Sequence, residues 1–157
     1  MLVILVNSME NIKAKQKNII LEVKNLEKNF VLRQKLSDTN LNILKAVNNV
    51  SFSLYKGETL GIVGESGCGK STLARCILRL IEPTKGSVRF LGKNILSMPK
   101  EEMRQLRKKI QIIFQDPFST LNSKMSVGKI ISEPWAIFKD IVPKKNWDKK
   151  IKELLIS

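Results

Sequence analysis

Residues 64–72 read GESGCGKST and follow directly on the apolar run TLGIV. Gly64, Gly67 and Gly69 let the backbone curl, so that successive N–H groups from Gly64, Glu65, Ser66, Gly67, Cys68 and Gly69 point into one anion-binding nest. A helix starting at Lys70 adds its positive N-terminal end to that nest. Lys70 is placed to neutralise β- and γ-phosphate charge, the Ser71 hydroxyl to ligate Mg²⁺, and Thr72 to donate to the outer phosphate oxygens. Gly64, Gly69, Lys70 and Ser71 satisfy the pattern GxxxxGK[ST]. A glycine turn without a ligand requires neither the lysine nor the hydroxyl at those offsets. The chemistry indicated is therefore the grip of a nucleoside triphosphate, ATP or a relative, with Mg²⁺. The loop alone does not separate kinases, GTPases and transport or motor ATPases.

Elements on either side must hold this loop still. TLGIV, residues 59–63, is apolar on both faces and predicts a buried central strand. KSTLARCILRLI, residues 70–81, places Leu73, Ile77, Leu80 and Ile81 at helical spacing, with Pro83 and Gly86 ending the helix. Upstream, IILEVKNL (19–26) alternates loosely as an edge strand, and VNNVSFSL (47–54) sets Val50, Phe52 and Leu54 on one face. The residues between them have no clean period and predict a long loop. Downstream, SVRFL (87–91) is a short strand. Ser97, Pro99, Glu101 and Glu102 mark a helix start, and Met103, Leu106 and Ile110 give that helix its apolar side. IQIIF (110–114) predicts a second buried strand, broken at Asp116-Pro117. The run from Ser126 is interrupted by Pro134, and residues 144–156 carry Trp147, Ile151, Leu154 and Leu155 on one helical stripe.

Length and composition bound the rest. The 157 residues, 43 % of them hydrophobic, suit one domain or part of one. Only Cys68 and Cys76 occur, unpaired in motif, and there is no histidine. Disulfide scaffolds, zinc sites and histidine-based catalysis are disfavoured, and a reducing cytoplasm fits. The net charge of +14 comes from lysines scattered along the whole chain. No stacked-aromatic RNA motif, helix-turn-helix spacing or zinc finger accompanies it, so a basic nucleic-acid binder rests on charge alone. The opening MLVILV is far short of the roughly 20 apolar residues of a membrane span. Residues 1–18 read as an N-terminal arm, and with Met9 close behind, the first eight are either a start-site artefact or an ordinary part of that arm.

Residues 47–95, VNNVSFSLYKGETLGIVGESGCGKSTLARCILRLIEPTKGSVRFLGKNI, resemble the ATP-binding cassette (ABC) ATPases over their whole length. IQIIFQDPFSTLNSKMSVGKIISEP is similar to the segment around that family's glutamine loop; together with GESGCGKST it is most similar to subunits that drive oligopeptide and dipeptide importers, and the similarity runs from about Ile20 to Trp135. The resemblance implies an α/β fold, the P-loop NTPase core of ABC type, with an antiparallel β subdomain and the start of a helical subdomain over residues 19–157. It implies that Gln115 reaches Mg²⁺ and the attacking water; otherwise Gln115 is a polar residue ending a strand. It also implies that Phe30, in LEKNF, stacks on adenine; otherwise it is a core phenylalanine. Leu121-Asn122-Ser123 departs from the LNP usual there, which loosens the expected turn. Cys68 fits as a loop residue contributing its N–H, and Cys76 as core.

The partners implied are integral-membrane permease subunits and a second ATPase subunit, with the chain at the cytoplasmic face of the membrane and no nucleic acid bound. Phe118, Leu121, Met125 and Trp135 are candidate exposed groups for docking the permease. Residues 1–157 contain no LSGGQ-like signature, no apolar run closing in Asp-Glu and no switch histidine. The expectation is thus a truncated, catalytically incomplete domain that binds ATP without hydrolysing it at a family-like rate. It stands either for the ATPase subunit of a peptide importer or for a non-catalytic ATP-binding remnant or regulator. TLGIV and IQIIF are then expected to show edges and faces that further strands would cover.

Overall fold

The computed structural model describes residues 2–3, 18–32, 42–114 and 116–156. The chain forms two compact units, Met1–Ile112 and Ile113–Ser157. The first contains β1 (Leu2–Val3), β2 (Ile19–Leu32), β3 (Asn42–Tyr55), β4 (Gly61–Ile62), α1 (Lys70–Ile77), β5 (Lys85–Phe90), β6 (Lys93–Asn94) and α2 (Lys100–Leu106). The second contains α3 (Pro117–Thr120), α4 (Val127–Ile137), a 3₁₀ turn (Lys144–Asn146) and α5 (Trp147–Ile156).

In the first unit β3, β2, β5 and β6 form an antiparallel sheet in that order. The β2–β3 pairing runs from Ile19 opposite Tyr55 to Leu32 opposite Asn42. Both strands are longer than their sequence patterns indicated. Their outer halves expose Val31, Leu32, Ile43 and Leu44, so no burial period marks those residues, and the ladder hydrogen bonds define the strands instead. The inner half is irregular for a visible reason. Asn25 (φ 47°) and Asn49 (φ 52°) are left-handed, a conformation asparagine tolerates better than most residues. The Asn25 Nδ2 donates to Asn49 Oδ1 at 2.8 Å, and the Asn25 N–H donates to Ser51 Oγ at 2.8 Å. Leu21, Val23, Leu26, Leu54, Val88 and Phe90 still reach the core, where Cys76 and Ile77 of α1 and Ile95 join them.

Helix α1 stops at Ile77, one turn earlier than its periodicity suggested. Arg79, at φ 50°, takes the left-handed position after the cap. The Leu80 N–H then bonds the Arg75 carbonyl at 2.8 Å and the Arg79 N–H the Cys76 carbonyl at 3.0 Å, the paired bonds of a Schellman ending. Glycine usually fills that position. Here the Arg79 side chain offsets the strain by donating to the carbonyls of Ile95 (3.0 Å) and Met98 (2.6 Å) and to Glu82 Oε1 (2.8 Å). Leu80 is left exposed.

Two expected buried strands come out differently. Of TLGIV only Gly61–Ile62 is strand, paired antiparallel with Leu2–Val3, and Val63 is 85 % exposed. IQIIF forms no strand: Ile110 is buried, but Ile113 and Phe114 are 73 % and 41 % exposed. A central strand obtains its ladder bonds and burial from neighbours distant in sequence. Among the described residues the only strand paired with β4 is β1, and no strand pairs with residues 110–114.

Helix α2 begins after Pro99 with Glu101 and Glu102 in its first turn, as expected, and ends at Leu106, leaving Ile110 beyond it. Ser97 does not cap it; its hydroxyl donates to the Asn94 carbonyl at 3.3 Å.

In the second unit, Ser126 caps α4 by accepting from the Lys129 N–H at 3.4 Å. Pro134 does not interrupt the helix, which runs through it to Ile137. The ring removes one N–H but leaves the Pro134 carbonyl free to accept from Phe138 at 2.8 Å. Trp135, 7 % exposed, packs on Trp147 with ring centroids 6.0 Å apart, and Trp147 Nε1 donates to the Val142 carbonyl at 3.0 Å.

Candidate phosphate-binding site

The loop of residues 63–69 joins β4 to α1. Gly69 caps the helix at φ 95°, and a Cβ built there would lie 2.0 Å from the Ala46 carbonyl oxygen of β3. Only glycine satisfies both the dihedral and the approach. The loop is thereby pressed on the hairpin at Ala46. Helix α1 buries Leu73, Ala74, Cys76 and Ile77, which leaves Ser71 exposed and Thr72 half-buried at its open end. Burial pushes the Cys76 thiol up; nearby Lys28 partly offsets this and Glu82 adds to it.

Among the described residues, the N–H groups of Gly67, Gly69, Lys70 and Ser71 meet no protein acceptor, and α1 has no acidic residue in its first turn. These are the donors and the uncancelled helix end that an anion requires. The Lys70 ammonium reaches back into the loop, donating to the Gly64 carbonyl at 2.7 Å and to the Glu65 carbonyl, with Cys68 Sγ at 3.4 Å. A positive group thus lies inside the curl, on the side where the N–H groups begin.

The donor set fits a magnesium-bound polyphosphate. No group of three His, Cys, Asp or Glu side chains among the described residues could hold a metal ion alone. A cation here would take the Ser71 hydroxyl together with phosphate oxygens, the hard-oxygen ligands Mg²⁺ prefers.

Phe30 lies half-buried on β2 opposite Leu44, two residues along β3 from the Ala46 carbonyl that meets Gly69. The hairpin therefore carries this ring on the segment against which the loop rests. Gln115 lies outside the described residues. Its neighbour Asp116 uses its carboxylate to accept from the Ser119 N–H at 3.2 Å, while Ser119 Oγ donates to the Asp116 carbonyl at 3.0 Å. That is a cap for α3.

Of the groups expected to dock a permease, Leu121 is 48 % exposed and Met125 half-buried, and the Phe118 side chain is outside the described set. Trp135 is no part of an exposed groove, because Trp147 and the packing around α4 cover it. Sequence reasoning missed the Ala46 carbonyl as a wall of the site. A backbone carbonyl leaves no signal in residue type.

Comparison with known proteins gives one consistent picture. The model of the ABC transporter family matches residues 47–155. An oligopeptide transport ATP-binding protein of Haemophilus influenzae is 41 % identical over 143 residues, covering 90 % of this chain and 43 % of its own length. One from Bacillus subtilis, AppF, is 44 % identical over the same shares. The chain thus spans about 43 % of the length of these relatives. Among solved structures, the ATP-binding cassette MJ0796, a dimer bound to ADP and Pi, superposes with a TM-score of 0.68 at 26 % identity, over 85 % of this chain and 54 % of its own. The protein cbiO1 from Clostridium perfringens, part of the ABC transporter complex cbiONQ, gives 0.60 at 27 % identity, over 88 % and 50 %.

Proposed function

The chain belongs to the ABC transporter family, and on that premise we propose that residues 19–157 form the nucleotide-binding portion of an ATPase subunit that powers peptide import. The peptide assignment is supported by the relatives in Haemophilus and Bacillus, which are oligopeptide transport ATP-binding proteins. In this reading the N–H groups of residues 64–72 and the Lys70 ammonium hold the β- and γ-phosphates of ATP. The Ser71 hydroxyl holds Mg²⁺, Thr72 donates to an outer oxygen, and Phe30 stacks on the base. Gln115 is assigned to the Mg²⁺ and water side of the same nucleotide. When bound, Mg²⁺ neutralises phosphate charge. Permease subunits in the membrane and a second ATPase subunit are the partners, and the cytoplasmic membrane face is the location.

Asp116, the carboxylate nearest in sequence to Gln115, caps α3 and is assigned no part in hydrolysis. The observation that carries the reading is the Lys70 ammonium held inside the loop by Gly64 and Glu65 at the open end of α1. Its test is titration of the 157-residue chain with a fluorescent ATP analogue and Mg²⁺. Lys70→Ala removes a charge-assisted contact of about 1.5–3 kcal/mol, roughly ten- to a hundredfold in affinity. Equal affinity of the two proteins would dismiss the assignment.

A further inference from the structure

Lys28 sits two residues before Phe30 on β2 and is half-buried. Its ammonium makes two contacts of different kinds. It stands over the Phe30 ring, 5.0 Å from the centroid. It also donates to the Glu82 carbonyl at 2.8 Å, in the connection that follows α1. The same connection holds the residues on either side of Lys28: the Thr84 N–H donates to the Glu27 carbonyl at 2.7 Å, and the Asn29 N–H donates to Thr84 Oγ1 at 2.9 Å. Phe30 is thus tied, through Lys28, to the chain leaving the helix whose other end bears the phosphate loop.

We infer that Lys28 is a positioning residue for the base: its ammonium covers one face of the Phe30 ring, fixes the ring relative to α1, and leaves the opposite face for a purine. The inference rests on the assignment of Phe30 as the stacking ring. A cation over an aromatic face is attracted by the ring quadrupole, which orients the ring without adding any group that a base would have to displace. The Glu82 carbonyl fixes the ammonium in turn. Lys28 therefore acts on the base through Phe30, whereas phosphate affinity resides in the loop. A simple structural role would weaken ATP and tripolyphosphate alike, and so would a direct contact with phosphate.

The experiment compares Mg-ATP with Mg-tripolyphosphate, which lacks base and sugar, as ligands of the 157-residue chain measured by calorimetry. Lys28→Met is expected to weaken ATP about two- to fivefold, the size of a partly exposed cation–π contact, and to leave tripolyphosphate unchanged. Lys28→Arg, which keeps the cation, is expected to bind ATP like the wild type. Equal weakening of both ligands in Lys28→Met, or none of either, would overturn the inference. Should Lys28→Met fold poorly, Lys28→Gln keeps a donor for Glu82 and loses only the charge, and the same two outcomes decide. Phe30→Ala separates this inference from its premise. It is expected to weaken ATP by about fivefold or more through lost stacking; no loss would remove the stacking assignment and the role of Lys28 with it. A loss in Phe30→Ala without one in Lys28→Met would remove the role of Lys28 alone.

Discussion

Replacing Gly69 with alanine isolates the contact that seats the phosphate loop. Gly67, Gly69 and Gly92 have similar positive dihedrals, φ 81°, 95° and 79°. A Cβ at Gly67 or Gly92 meets nothing within 4 Å, whereas at Gly69 it lies 2.0 Å from the Ala46 carbonyl oxygen, where real Cβ atoms stay beyond 3.0 Å. All three alanine variants incur the left-handed cost of roughly 1–2 kcal/mol. Gly69→Ala must in addition part the loop from β3 by at least 3.0 − 2.0 = 1.0 Å. Overpacking of that kind costs about 1–3 kcal/mol more, so its total loss of stability is about 2–5 kcal/mol. The displacement also pulls the Gly69 and Lys70 N–H groups off the phosphate. One charge-assisted bond at about 1.5–3 kcal/mol makes this a tenfold loss of Mg-ATP affinity or more. Gly92→Ala, away from the loop, is expected to lose stability only. Urea unfolding and fluorescent-nucleotide titration of the variants give both numbers. Affinity of Gly69→Ala within twofold of Gly92→Ala would refute the claim that the Ala46 contact positions the binding groups.

Arg79→Ala should destabilise the chain more than Arg79→Gly, by about 1 kcal/mol in urea unfolding. Both lose the bonds to Ile95, Met98 and Glu82, but only glycine sheds the left-handed strain; an alanine variant as stable as the glycine variant contradicts this. Trp135→Ala should cost about 3–5 kcal/mol within the second unit. It should also shift the remaining Trp147 emission to the red as its ring partner is lost, and unchanged emission would show that the pair does not shield Trp147.

The phosphate loop and the helix behind it were legible because their chemistry is local. The curl, the ammonium and the hydroxyls must come from adjacent residues, and α1 reveals its buried face within eight. The hairpin was legible only where it covers core: Val50, Phe52 and Leu54 alternate, but residues 29–32 and 42–45 pair without full burial, and pairing there follows backbone hydrogen bonds that any side chain permits. TLGIV and IQIIF have the composition of central strands, yet that composition states a need for neighbours without supplying them. The exposure of Val63, Ile113 and Phe114 is consistent with the expected uncovered faces. The end of α1 was misjudged because the left-handed cap carries arginine where glycine would have signalled it. Its compensation comes from carbonyls 16 and 19 residues away. Trp135 looked available for docking because sequence showed its apolar ring but not Trp147 beside it.

The connection at Glu82–Thr84 lies on the surface, with both residues exposed, yet it is not free to breathe like an ordinary surface turn. The Thr84 amide proton and hydroxyl oxygen and the Glu82 carbonyl are engaged by β2, and the Glu82 carboxylate by Arg79. Solvent deuterium reaches the Thr84 amide only when its bond to the Glu27 carbonyl in the middle of β2 breaks, and the bonds on either side of it make an opening shared with β2 the expected route. Such an opening is sub-global, and it also loosens the partner strands on either side of β2. Exchange at this exposed amide should therefore keep pace with the strand interior, so that its protection reports on the sheet beneath it.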